Sequence, residues 1–592
     1  MASVFRWSLR LFTALLVLAV GAATLAYYFA ARSLPDYDTT WEMPGLTGPV
    51  EIVRDNANVP HIFGETDADV FFGLGVAHAQ DRLWQMTMLR RAAQGRLSEL
   101  FGPRTVRTDE LMRRLDLYRA ATASVAAQDP QTRAALQAYA DGVNAWIAKV
   151  NAEALGRGAP EFFLFPPRIA PWTPADSLAV IKVMALRLST HLEQEVLRAQ
   201  AALRLPPERL ADLMPDDPGS AAAGLPDYGT LFPDGPTRVA APAPRDPLMP
   251  VRQRAFGGAS NAWAAAPDRS AAGGTPLAND PHLALSAPTI WYLARLELSS
   301  GGVIGGTIPG LPVVLLGRSE ALGWGLTSAY ADDLDIFLEE LNPAVPQEYR
   351  TPRGWVPFRT ERTIIEVADA EPVTLTLRWT ENGPVLPGGH FDLASVTPSG
   401  HVAAIAWTAL DPADTSVSAG MALMRARSVD EAIEAGRRFV APAQNLVLAD
   451  RERVAMQVIG ALPDRNPRMA GQGRIPSLGW QEENRWRGRL DYAQNPRVTD
   501  PPGGVIGNTN NRTTDRPFPL HVSHHWGDTQ RIRRWNRLME EREVHTRESF
   551  MAAQLDTVSV AARNLLPLIA RDLWFTGEAA AEGTPERRRQ IA

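Results

Sequence analysis

In Gly257-Gly258-Ala259-Ser260-Asn261-Ala262-Trp263, a hydroxyl sits behind paired glycines at the head of a strand-like run. Glycines tolerate strained backbone and close approach, so this is a place where a chain could cut itself. If the Ser260 hydroxyl attacks the Ala259 carbonyl, the acyl group moves from nitrogen to oxygen and water then opens the ester. Ser260 would become a new N-terminus. Its α-amine, with an unperturbed pKa of roughly 7.7–8.0, could serve as general base for its own hydroxyl. Taken alone, such a heptad more often marks a turn leading into a strand. A second grouping, Asp332-Asp333-Leu334-Asp335, offers hard oxygen ligands at close spacing, which suits calcium and equally suits a solvated acidic turn. A third, His521, His524, His525 and Asp528, carries zinc-type ligands but lacks a helical His-Glu-x-x-His pattern.

Composition narrows the chemistry. Cysteine is absent, which removes thiol nucleophiles, disulfides and thiolate metal sites together. A formal net charge of -6 supplies no basic field, so nucleic acid is not an expected partner. The 592 residues exceed the ~250–300 at which a single core stops growing, and either more than one folding unit or one large two-part assembly is expected. Arg6 and Arg10 precede an uncharged run from Leu11 to Ala31, close to the ~20 residues that span a bilayer. Residues 1–34 read as a signal anchor or signal peptide, and because the small residues of Ala19-Val20-Gly21 lie inside the apolar run, the uncleaved anchor is the favoured reading. The body of the protein would then be periplasmic or otherwise extracytoplasmic, with residues 11–31 in the membrane.

The elements that must position Ser260 follow from periodicity. Residues 35–205 are expected to be mainly helical after a strand at 50–53, with helical spacing at 67–100, 130–150 and 174–203. Thr173 supplies an N-cap to the last of these and Pro174 its first-turn proline. Residues 206–259 are rich in Pro, Ala, Asp and Gly and read as a spacer. Beyond it, in 260–592, strand-like runs occur at 260–266, 303–308, 313–316, 363–367, 373–379, 402–407 and 454–459. Helices, spacer, then strands argues for an α+β fold. The end, Pro585 to Ala592, has the composition of a helix's first turns, yet the sequence stops there.

Ser260-Asn261-x-Trp263 after such a spacer resembles the start of the catalytic chain of the penicillin acylase family. Arg54-Asp55 with Val59-Pro60-His61-Ile62 resembles the opening strand of the family's smaller chain. The run Ala77-His78-Ala79-Gln80-Asp81-Arg82-Leu83-Trp84-Gln85-Met86, with Arg90-Arg91 and Gly95-Arg96-Leu97, resembles its first long helix. The likeness covers roughly 48–575. Family members usually continue into a further C-terminal region, so a shortened chain is expected.

What the resemblance implies is a four-layer αββα N-terminal-nucleophile hydrolase sandwich with a mainly helical N-terminal part. The implied activity is that of a self-processing amidase acting on linear amide C–N bonds, with Ser260 as nucleophile and acyl-enzyme. The implied substrate is a small-molecule acyl amide, either a penicillin, an acyl-homoserine lactone or a similar compound. The cleaved halves would stay together as a heterodimer. His282 falls where the family organises its nucleophile, Asn510 and the N–H of Ser328 match its oxyanion donors, and Arg531 matches an arginine beside the site. A structural calcium ion is implied at Asp332, the Leu334 carbonyl and Asp335, with Glu195 as a further ligand; His521 stands where the family's last ligand aspartate is expected. No organic cofactor is implied. Trp291, Tyr292 and Phe337 could line an acyl pocket. A serine hydrolase of another fold, a metal hydrolase using the histidine grouping, and a membrane-anchored binding protein without activity remain as alternatives.

Overall fold

The computed structural model describes residues 2–153, 158–165, 169–214, 259–283, 285–527, 529–574 and 585–586. Most of the expected spacer, 215–258, lies outside the described residues, and so does the chain end apart from Pro585 and Glu586. The spacer's first residues form a short helix, Pro207–Leu213. Its last residue, Ala259, already belongs to the strand that carries Ser260, Ala259–Ala265.

The first helix, Ala2–Arg32, is exposed along its described side chains and has a mean hydropathy of 2.0 over its most apolar window, so it is long and apolar enough to cross a bilayer. The helical region then follows. Helix Asp67–Gln94 begins on a Thr66 cap, whose hydroxyl accepts from the Asp69 amide at 3.2 Å, with Asp67 and Asp69 complementing the helix dipole. The spacing at 174–203 predicts one helix, but the chain forms two, Pro174–Leu188 and His191–Ala202. Ser189 is extended and Thr190 stands at the N-cap of the second helix without a side-chain cap bond, and from that helix Glu195 reaches the strands, accepting from the Ile336 amide. The start of the first of these helices is as expected. Asp176 accepts from the Thr173 amide at 2.7 Å and from its hydroxyl at 2.9 Å.

The expected strands are all present within a few residues of their bounds. A nine-stranded sheet runs in the spatial order Glu51–Arg54, Pro60–Phe63, Tyr292–Leu298, Gly301–Ile308, Leu311–Arg318, Gly323–Ser328, Gln444–Ala449, Val454–Ile459, Arg497–Thr499. Its pairings are antiparallel except that Pro60–Phe63 runs parallel to Tyr292–Leu298, with His61 opposite Arg295. The Ser260 strand is the middle of a separate three-stranded sheet, between Val505–Asn508 and Leu277–His282.

Alternation along Ala259–Ala265 sets the layers. Ala262 and Ala264 pack with Val447, Ala449, Val454, Met456 and Ile506 between the two sheets. Trp263 and Ala265 point the other way and pack with Met539 and Phe550, from helices Gln530–Glu540 and Arg547–Gln554. On its far face the nine-stranded sheet is covered by the helical region, including Asp67–Gln94 and Pro174–Leu188. The order is helix, sheet, sheet, helix, the αββα arrangement expected. A further six-stranded sheet, carrying Leu334–Glu340, extends the second part.

The helical region is tied to the sheet by a buried polar chain. The Thr307 hydroxyl donates to the Tyr292 carbonyl at 2.7 Å, so the His78 Nε2 2.9 Å away must donate to Thr307. His78 Nδ1 then accepts from the Tyr139 hydroxyl at 2.8 Å, and the ring is neutral. Burial, with Arg82 adding to it, depresses the His78 pKa from 6.5 to about 3. The unfolded ring takes up a proton near 6.5 and the folded ring only near 3, so acid favours the unfolded state across that window. Stability should fall as pH drops from 6.5 toward 3, by at most about 1.4 kcal/mol per pH unit from this residue. Urea unfolding at several pH values should give a shallower acid slope for His78→Gln than for the wild type; equal slopes would refute this.

Candidate active site

Ser260 is buried, at 7% exposure, at the head of the central strand of its sheet. Its backbone N–H donates to Asn510 Oδ1 at 2.7 Å. The amide nitrogen of the same Asn510 side chain donates to the Ser328 carbonyl at 2.9 Å. Ser328 ends strand Gly323–Ser328 of the nine-stranded sheet, opposite Gln444, so one primary amide bridges the two sheets at Ser260. Arg531, in the first turn of Gln530–Glu540, donates from Nη1 to the Ser260 carbonyl at 2.9 Å and to Asn261 Oδ1 at 3.0 Å. Its Nη2 donates to Asn510 Oδ1 at 3.1 Å. Four of the expected site residues, Ser260, Ser328, Asn510 and Arg531, thus converge.

Two local features allow this. Asn510 takes a left-handed backbone, φ 63°, which asparagine tolerates better than most residues, and this turns its side chain back to Ser260. The Trp535 indole of helix Gln530–Glu540 lies directly on Gly507, where a Cβ would stand 2.5 Å from ring atoms. The helix that carries Arg531 can dock this closely only because position 507 has no side chain.

His282 is placed differently from what was expected. Its backbone lies opposite Ala259, but Ser260 is opposite Pro281, so the pleat carries the His282 side chain to the face away from that of Ser260. There it is half exposed, with Nε2 3.2 Å from Asp280 Oδ2. Trp291 stays near the site, since its indole N–H donates to the Pro281 carbonyl at 3.4 Å. It borders a cleft of about 550 Å³ shared with Trp84, Tyr292, Asp81 and Arg82. Phe337 does not line that cleft and is core, packed with Tyr349 and Phe358.

Beneath Asn510 lies a buried set that the sequence does not single out. Asn508 Oδ1 accepts from the Thr327 hydroxyl at 2.6 Å, from Asn445 Nδ2 at 3.1 Å and from the Asn510 amide at 2.8 Å. The only local signal was the Asn508-Thr509-Asn510-Asn511 run; Asn445 has none.

The implied calcium position does not have a calcium-type donor set. The guanidinium of Arg465 sits among the carboxylates: Nε donates to Asp335 Oδ2 at 2.8 Å, and Nη2 donates to Asp335 Oδ1 at 3.1 Å and to the Asp332 carbonyl at 3.0 Å. Nη2 also lies 3.2 Å from Asp332 Oδ1. His521 Nε2 is 2.7 Å from Asp332 Oδ2, and the Trp486 indole donates to Asp335 Oδ2. Glu195 accepts from the Ile336 amide at 2.9 Å through one oxygen, leaving the other unpartnered. Burial, then the neighbouring Asp335 and Asp332, hold the Glu195 pKa well above the usual carboxylate range. Leu334 opens strand Leu334–Glu340 opposite Trp407. Calcium takes 6–8 oxygens, and most of the inward-facing ones here are already spent on protein donors.

Asp332, His521 and His524 do bring one ligand atom each within 4.8 Å of one another. Yet both ring nitrogens of His524 are engaged, with Arg474 Nε at 3.2 Å and the Gln472 carbonyl at 3.1 Å. Asp528 of that grouping lies outside the described residues.

A family model described as penicillin amidase matches residues 49–591. The chain belongs to the penicillin amidase family. Among its relatives, the acyl-homoserine lactone acylase QuiP of Pseudomonas aeruginosa is 30% identical over 553 residues, covering 90% of this chain and 63% of that protein. The penicillin acylase 2 proenzyme of Pseudomonas sp. (strain SE83) is 31% identical over 506 residues, covering 83% of this chain and 62% of that one. This penicillin amidase family chain therefore spans less than two thirds of the length of these relatives. Among solved structures, a thermostable penicillin G acylase from Alcaligenes faecalis aligns with a TM-score of 0.46 and 20% identity, covering 56% of this chain and 57% of that one.

The Asn508 hub gives a test of how this family member holds its site. Asn508→Ala leaves the Thr327 hydroxyl and the Asn510 N–H without this acceptor, while the Asn445 amide keeps the Thr327 oxygen at 3.1 Å and the Ser328 carbonyl at 3.3 Å, and each such loss costs about 1–3 kcal/mol in a dry site. Denaturant unfolding should show the variant destabilised by at least that much. An unchanged midpoint would mean that water reaches the two donors.

Proposed function

We propose that this chain is the precursor of a self-processing amidase that hydrolyses N-acyl amides through an acyl-enzyme on Ser260. The observation that carries the reading is the Asn510 amide, which accepts from the Ser260 nitrogen while facing Ser328 with its NH2 group. The same oxygen could accept from the α-amine that cleavage would leave on Ser260, so the contact suits both the uncut and the cut chain.

In maturation the Ser260 hydroxyl adds to the Ala259 carbonyl, the C–N bond breaks as the ester forms, and water hydrolyses the ester to free the α-amine. In turnover that amine takes the hydroxyl proton as oxygen attacks the substrate carbonyl. The developing oxyanion is met by Asn510 Nδ2, which has two hydrogens and spends only one on Ser328, and by the Ser328 N–H. The proton passes to the leaving amine, and water then releases the acid. Arg531, bonded to the Ser260 carbonyl, to Asn261 and to Asn510, holds the nucleophile and the amide donor in register. The names of the relatives make N-acyl-homoserine lactones and penicillins the first substrates to offer, and the cleft beside Trp291 is where an acyl chain would lie.

The cleaved pieces would remain together as a heterodimer. The parallel pairing of Pro60–Phe63 with Tyr292–Leu298 supports this, as does the buried Lys182–Asp414 ion pair at 2.8 Å. Arg6 and Arg10 ahead of the exposed apolar run support an N-terminal membrane anchor with the body outside the cytoplasm.

Intact-mass measurement and N-terminal sequencing should find a new N-terminus at Ser260 in the wild type and none in Ser260→Ala. Asn510→Ala should lower kcat for an acyl amide by about 10²–10³-fold. A wild-type chain that stays whole would sink the reading.

A further inference from the structure

We propose that Arg465 is a built-in cation that takes the place of a divalent metal ion at the seam between the helical region and the strands, so that the fold holds without one. The carboxylates gathered there come from both sides. Glu195 comes from helix His191–Ala202, and Asp332 and Asp335 from the segment that leaves Ser328 for the six-stranded sheet. Together they make a buried concentration of acid that must be neutralised.

The guanidinium does this with directed bonds. It hydrogen-bonds both oxygens of Asp335 and the carbonyl of Asp332, and forms an ion pair with Asp332 Oδ1 at 3.2 Å without a hydrogen bond to it, from a side chain that is 2% exposed. A guanidinium stays protonated at any working pH, so the charge is permanent. Gly473, at φ +72°, closes the cluster, and a Cβ there would stand 2.6 Å from Asp332 Oδ2 and 3.2 Å from Arg465 Nε. His521 completes the shell, with Nε2 2.7 Å from Asp332 Oδ2.

The consequence reaches Ser260 through the backbone. Asp332 lies just after Ser328, whose carbonyl holds Asn510, and the Asp332 amide donates to the Val522 carbonyl at 2.6 Å. Whatever fixes Asp332 therefore fixes the segment that leaves the site, and here that is a side chain that no chelator can remove.

The test uses the whole chain, by elemental analysis and thermal unfolding. The wild type should purify with substoichiometric calcium and zinc, and its Tm should be the same in EDTA, in excess calcium chloride and in excess zinc chloride. Arg465→Ala should unfold at lower temperature and recover part of the loss in calcium chloride, since removing the guanidinium frees oxygens of Asp332 and Asp335 beside Glu195. One equivalent of bound metal in the wild type, with a Tm that falls in EDTA, would overturn the proposal. So would an Arg465→Ala variant as stable as the wild type, or one whose Tm calcium leaves unmoved. Should Arg465→Ala not fold, Arg465→Lys, which keeps the charge but not the forked bonds, should lie below the wild type in Tm, and equality would count against the proposal.

Discussion

One primary amide governs the site. The Asn510 side chain spans the gap between the two sheets, with its oxygen on the Ser260 nitrogen and its nitrogen on the Ser328 carbonyl. Such a bridge works only if the sheets are held at a fixed separation, and Ala262 and Ala264, packed against Val447, Ala449, Val454 and Met456 of the facing sheet, fill that gap. It also works only if the asparagine cannot turn, and its oxygen is held a second time by Arg531 while its backbone is held by Asn508. A serine at the end of a strand would otherwise be free to fray; here its N–H and C=O are both committed.

The acidic seam shows a different answer to a similar demand. A strand crossing from one sheet to the next must be pinned where it leaves the first, and bringing carboxylates together from two parts of the chain does so only if their repulsion is cancelled. An arginine cancels it with geometry as well as charge, since its planar fork matches two oxygens at once. The arrangement is intolerant of loss. Taking away one member of a buried ion pair strands the other, which is costlier than never having built the pair.

Much of this was legible in the sequence, for reasons that differ by residue. Ser260 and its strand were readable because the signal is local, a glycine-flanked hydroxyl before an alternating run. The helix starting at Pro174 was readable because Thr173, Pro174 and Asp176 lie within one turn. The break at Ser189 was not, because apolar spacing continues across it. The facing of His282 depends on which residue lies opposite Ser260, a register fact that no short string contains. Asn445 and Arg465 were silent for a plainer reason: each acts on partners far along the chain, and Arg465 meets Asp335 across 130 residues. The calcium expectation went with the acidic turn because its ligands are contiguous, whereas the group that fills their midst is distant.

The parallel strand Pro60–Phe63 has an effect on solubility. With Glu51–Arg54 it forms the margin of a sheet whose other strands all come from beyond Ser260. Stripped of that margin, Tyr292–Leu298 would present a row of bare amides and carbonyls along a seven-residue strand, a template for pairing with any other chain. The front of the molecule is thus an edge guard for the back, and the back on its own would be prone to aggregate rather than to persist as a free piece.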